Sequence, residues 1–161
     1  MNLSLKQCKY LIDLAESTNS WVDVKQEGNT SYQTIKNLNV SGDIESIVKK
    51  YSSDVLGLTV TKINLGILKY KKGDAFARHF DFGTYEFNQD FIYNINVKLN
   101  DDYIGGEFYL DDEPYNKPVG ELYHYKSTKY HEVKEIKSGI RYSALFYVRG
   151  RDIDINTKSI I

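Results

Sequence analysis

Residues 61–70 read TKINLGILKY, and in them Ile63, Leu65 and Ile67 alternate with Lys62, Asn64 and Gly66. Apolar and polar positions two apart put opposite characters on opposite faces, which predicts a half-buried strand. The same period governs the residues downstream. KKGD at 71–74 reads as a turn and AFARHFD at 75–81 as a strand. FIYNINVKLN at 91–100 places Phe91, Tyr93, Ile95, Val97 and Leu99 on one face. GGEFYL, ELYHYKS, HEVKEI and RYSALFYV supply four more short strands between turn residues.

Upstream of Gly57 the period is helical. Leu5, Cys8, Leu11, Ile12 and Ala15 recur at spacings of three and four, predicting an amphipathic helix that ends near the polar run Ser17 to Ser20. Ile44, Ile47, Val48, Tyr51 and Val55 form the stripe of a second helix over about 43–56, with Ser41 or Asp43 as its cap. Trp21 to Val24 opens a strand between the two. Helices followed by strands, without strand-helix alternation, predict an α+β, mainly β chain. The expected architecture is a double-stranded β-helix (jelly roll) with the N-terminal helices packed on one sheet. One domain over 1–161 is expected, with helical support at 1–57 and the jelly-roll core at 58–150.

A chain of 161 residues can bury a real core, and with 41% hydrophobic and 27% charged residues it reads as globular. The net charge of -1 offers no basic field for a nucleic-acid backbone. Cys8 is the single cysteine, which excludes an internal disulfide and a thiolate cluster and suits a reducing compartment. Lysines and acids interrupt the N-terminal helix, so it reads as neither signal peptide nor membrane span. The expectation is a soluble protein, cytoplasmic or otherwise intracellular, with no membrane partner.

The chain has three histidines, and one stands in RHFDFG at 78–83. On a strand, positions two apart share a face, so His79 and Asp81 project side by side. An imidazole, a carboxylate and a second imidazole make the facial triad of non-haem iron sites, leaving positions open for substrate and oxygen. His124 and His131 are the candidates for the second imidazole, and His131 is preferred. It lies ten positions before Arg141, and pairing of their strands would place that planar fork deep in the same cavity, suited to a dicarboxylate. His124 in LYHYK is read as structural or surface, Gly105 and Gly106 as a turn or bulge, and Phe108 and the tyrosines as core or strand pairs.

The order Y-x-x-G-D-x-F-x-x-H-x-D from Tyr70 to Asp81, then LNDDYIGGEF, HEV and GIRYS, resembles the 2-oxoglutarate- and Fe(II)-dependent oxygenases, in particular their prolyl 4-hydroxylase-like branch. The likeness runs from about Leu65 to Tyr147. It implies that His79, Asp81 and His131 hold Fe(II), that Arg141 binds the distal carboxylate of 2-oxoglutarate with Ser143 sharing it, and that Tyr70 hydrogen-bonds the co-substrate. Lys98 stands where relatives often carry a tyrosine, and it would replace that contact with a point charge, its strand turning Asn94, Asn96 and Lys98 inward.

The implied activity is a dioxygenase that couples molecular oxygen and 2-oxoglutarate, with ascorbate as an accessory reductant, to hydroxylation, releasing succinate and carbon dioxide. The substrate implied is proline in a peptide or protein. Lysine, a free amino acid or another small molecule is the alternative, and a non-catalytic metal-binding jelly roll is the second. Oxygenases that dealkylate nucleic acid carry a second arginine six residues after the first, where this chain has Tyr147. Specificity is expected from loops at Phe82 to Asp90, Asp111 to Gly120 and part of Asn19 to Asn39.

Overall fold

A computed structural model describes residues 1–40, 42–81, 90–126 and 128–152. Its elements are α1 (Leu5–Thr18), β1 (Val22–Gln26), β2 (Thr30–Leu38), α2 (Gly42–Asp54), β3 (Leu58–Tyr70), β4 (Phe76–His79), β5 (Asp90–Lys98), β6 (Ile104–Gly105), β7 (Phe108–Leu110), β8 (Glu113–Pro114), β9 (His131–Val133), β10 (Ile136–Ser138) and β11 (Arg141–Asp152). The loop read at 82–90 falls, but for Asp90, outside the described residues. So do the cap Ser41 and the side chain of Phe91.

Local chemistry sets the helix ends. Ser4 Oγ accepts from the Gln7 amide at 3.0 Å while Gln7 Oε1 accepts from the Ser4 amide at 2.8 Å, a reciprocal capping box that satisfies two orphan donors of α1. Asn19 closes α1 in the left-handed region, which asparagine tolerates. Asp43 and Glu45 lie in the first turn of α2, where the helix dipole favours acids.

Antiparallel strands form a five-stranded sheet in the order β1-β2-β3-β11-β5 and a four-stranded sheet in the order β4-β9-β7-β8, while β6 and β10 pair separately. Alternation divides the large sheet by face. Leu65, Ile67, Ile95, Val97, Ala144, Phe146 and Val148 pack with Cys8, Leu11, Ala15, Ile44, Val48 and Tyr51 of the helices. Their sequence neighbours on the other face, from Tyr70 and Arg141 at one end to Tyr147 and Asn94 at the other, line a cavity shared with the small sheet.

Several expectations change. Leu5, the first residue of α1, and Val55, one residue past the end of α2, are exposed, at 72% and 50%, so the buried stripes are shorter than expected. The region 19–39 is mainly a β-hairpin, so the first 57 residues contribute two strands as well as helical support. ELYHYKS is not a strand: Glu121 bridges to Asn2 and Tyr123 to Asn96, so the segment crosses its neighbours one contact at a time. HEVKEI splits into β9 and β10, which belong to different sheets. Among the described residues no helix is long and apolar enough to cross a membrane.

Candidate metal centre and cavity

His79 and His131 are register partners across β4 and β9, with ring centroids 4.1 Å apart. β4 ends at His79, so Asp81 lies just past the strand rather than on it. Its carboxylate still turns back to the pair, with Oδ1 3.7 Å from His79 Nε2 and Oδ2 3.7 Å from His131 Nε2. One ligand atom from each of the three residues falls within 4.8 Å of the others.

Both imidazoles are fixed from behind. His79 Nδ1 donates to the Ala77 carbonyl at 2.7 Å and His131 Nδ1 to the Lys129 carbonyl at 3.1 Å. A carbonyl can only accept, so each Nδ1 carries the proton and each Nε2 presents a lone pair toward Asp81. His79 Nε2 is buried and has no hydrogen-bond partner among the described residues. Burial first, and then the neighbouring His79, lowers the His131 pKa, which favours the neutral ligand form. A convergent N, N, O set with an unsatisfied buried nitrogen fits a divalent metal, and the chemistry of the donors suits iron.

The surrounding cavity is about 270 Å³. Phe76 stacks on His79 at 3.8 Å, and Tyr125 lies 4.8 Å from His131, so aromatic rings wall the triad. Burial pushes the Tyr123 phenol up to about 12 and that of Tyr125 well above its ordinary value, so both remain hydrogen-bond donors. Tyr70 is 1% exposed, and burial raises its phenol likewise.

Arg141 shares the cavity and is 3% exposed. Its strand does not pair with that of His131. β9 lies between β4 and β7, and β11 between β3 and β5, so the arginine reaches the cavity across the gap between sheets. The acids of the intervening segment are engaged elsewhere: Glu132 pairs with Lys134 and Glu135 with Lys137. Arg141 Nε is buried without a hydrogen-bond partner among the described residues, and the guanidinium sits 5.4 Å over the Tyr70 ring. A buried guanidinium with an unsatisfied N–H is costly unless an acceptor, best an anion, meets it.

Ser143 lines the same cavity, in register with Lys98 on β5. Asn94 and Asn96 face into it as the inward alternation requires, whereas Lys98 lines an adjoining cavity of about 190 Å³ that shares Arg141, Phe108 and Tyr123. Phe108, read as core, therefore borders both. His124 stands apart from the triad, hydrogen-bonded through Nδ1 to the Tyr51 hydroxyl at 2.7 Å, a structural role as expected. Tyr32, Thr34 and Lys36 of β2 and Tyr125 were missed as wall residues. The alternation Tyr123, His124, Tyr125 carried the signal for the last.

No family model and no curated protein sequence matches the chain. Solved structures do. The viral collagen prolyl hydroxylase of Paramecium bursaria Chlorella virus-1, in its 2-oxoglutarate complex, aligns over 92% of both chains at 19% identity and a TM-score of 0.65. A 2-oxoglutarate-Fe(II) oxygenase family oxidoreductase of Burkholderia pseudomallei covers 89% of this chain and 80% of its own at 16% identity and a TM-score of 0.61. The Trichoplax adhaerens prolyl hydroxylase, in complex with a hypoxia inducible factor peptide fragment, covers 96% and 81% at 13% identity and a TM-score of 0.62. The chain has the fold of the 2-oxoglutarate- and Fe(II)-dependent oxygenases, prolyl hydroxylases among them.

Proposed function

We propose that the chain is a 2-oxoglutarate- and Fe(II)-dependent dioxygenase of the prolyl 4-hydroxylase-like branch, acting on proline in a peptide or protein. It is one domain, a double-stranded β-helix (jelly roll) core over 58–150 with helical support from 1–57. The observation that carries this reading is the pairing, in one cavity, of a three-donor cluster and a buried guanidinium, with His79 Nε2 and Arg141 Nε both without a hydrogen-bond partner among the described residues.

His79, Asp81 and His131 would hold Fe(II). Bound there with 2-oxoglutarate, the metal supplies oxygen activation coupled to decarboxylation, yielding succinate, carbon dioxide and a hydroxylated product. The chain's own residues bind and orient. Arg141 offers its fork to the distal carboxylate, Ser143 and the protonated Tyr70 phenol donate hydrogen bonds, and Lys98 adds a positive field from the adjoining cavity. The Ala77 and Lys129 carbonyls hold the ligand imidazoles in one tautomer, and Phe76, Phe108 and Tyr125 keep bulk water from the triad.

A peptide substrate is supported by the Trichoplax neighbour, whose complex contains one. The test is succinate formation from 2-oxoglutarate with Fe(II). Wild-type protein should turn it over and Asp81→Ala should not, and equal turnover by both would refute the site.

A further inference from the structure

The cavity has a second cation that the triad and co-substrate do not use. Lys36 stands on β2, whose pairing with β3 slips between Ile35↔Ile67 and Leu38↔Leu65. Lys36 and Asn37 together oppose the single residue Gly66, a β-bulge, and Asn37 takes a φ of 60° to make it. Such a bulge re-aims a side chain, and here Lys36 lines the cavity.

Position along the strands separates the two cations. Arg141 is in register with Tyr70, and Leu145 with Gly66, so Lys36 stands four residues further along the sheet, about 13 Å at the strand rise. Among the described residues, the cavity lining toward that end of the sheet is neutral: Leu145 and Asn96, then Tyr147 and Asn94. Lys36 has no ion partner among the described residues, whereas Lys69, the partly buried lysine of the opposite face, is held by Glu16.

Charge decides what such a cation is for. The walls carry two cations, Arg141 and Lys36, and one carboxylate, Asp81. A divalent metal takes Asp81, and a dicarboxylate co-substrate offsets the remaining metal charge and Arg141. Lys36 is exposed, and apart from Asp81 the described residues that line the cavity with it offer it no carboxylate, so it is available to an incoming anion.

We propose that Lys36 is a specificity-determining residue that binds a carboxylate of the substrate, so the hydroxylated molecule is acidic. The proposal rests on the oxygenase reading and names its substrate class. The carboxylate is supplied by an acidic side chain or C-terminus near a peptide proline, or by a free amino acid.

The experiment loads immobilised protein anaerobically with Fe(II) and 2-oxoglutarate, checks the visible band of the chelated keto acid, and then selects from a peptide library with proline fixed and its flanks randomised. Wild-type protein should enrich Asp or Glu at a constant offset about tenfold, the worth of one charge-assisted contact. Lys36→Gln should abolish the enrichment and Lys36→Glu should turn it toward Lys or Arg, while both variants keep the band. Competition by free amino acids against their amides separates the sources, since a free-acid ligand competes only with its carboxylate intact.

No acidic enrichment and no acid-over-amide competition in wild type, or a preference unchanged in Lys36→Gln, overturns the proposal. Absence of the band in wild type overturns the oxygenase reading first, and the role of Lys36 with it.

Discussion

His79 and His131 stand opposite one another across adjacent antiparallel strands, each with its Nδ1 tied to a backbone carbonyl two residues earlier. Strand pairing thus sets the separation of the two nitrogens, and the carbonyl bonds set their direction. The three donor groups are held convergent by strand pairing and backbone hydrogen bonds, an arrangement that limits the ordering cost of binding a ligand between them.

Replacement of His131 by Ala should therefore remove stoichiometric Fe(II) binding, while His124→Ala should retain it. His124 is engaged by Tyr51, away from the triad. Metal content after anaerobic loading and desalting distinguishes the two histidines, and loss in both variants would contradict the assignment.

Arg141→Lys should weaken 2-oxoglutarate by about 30-fold to 100-fold, because a point charge cannot reproduce two parallel hydrogen bonds from a planar fork. Fe(II) affinity should be unaffected. Titration of each ligand in turn gives the comparison.

Gly106→Ala should resemble a weak Arg141 variant. Gly106 has a φ of 66°, and an added Cβ would lie against the Ile136 side chain and 3.2 Å from Arg141 Cδ. The left-handed strain alone costs about 1–2 kcal/mol. Loss of thermal stability together with a raised KM for 2-oxoglutarate is expected, and a raised KM absent from Gly73→Ala, whose surroundings are open, would show that the Arg141 contact matters.

On the helix-facing side, Glu16 accepts from Lys69 Nζ at 2.5 Å and from the Tyr142 hydroxyl at 2.6 Å, with Trp21 beneath the ammonium. Partial burial works against its charge, but these donors win and lower its pKa. A carboxylate with a depressed folded pKa stabilises the fold above its unfolded value, near 4.3, and the gain is lost as pH falls through the folded value. Glu16→Gln should lower stability at pH 7 by about 1 kcal/mol or less, since the side chain is 38% exposed. Melting curves for the two proteins should converge as the pH falls from the unfolded value through the lower folded one.

The large sheet was legible because β3, β5 and β11 carry strict alternation over long runs, such as Ile63, Leu65 and Ile67. β2 was not: TSYQTIKNL mixes β-branched and polar residues without a clean period, and its bulge at Lys36 and Asn37 breaks the phase. That omission hid Tyr32, Thr34 and Lys36. ELYHYKS looked like a strand from its tyrosines, yet it answers to single bridges rather than a ladder. The triad was readable from spacing and order, whereas Arg141 reached the cavity by an unforeseen route. Its residue type was informative, and the strand pairing invoked for it does not exist, since which sheets face each other is a tertiary fact that local sequence does not encode.

The central claim is that one cavity holds a metal and a keto acid together. Metal-free protein titrated anaerobically with Fe(II) and then 2-oxoglutarate should develop the visible charge-transfer band of a chelated keto acid only when both are present, and His79→Ala should lack it. A featureless spectrum in the wild type, with another metal retained at one equivalent, would contradict the account.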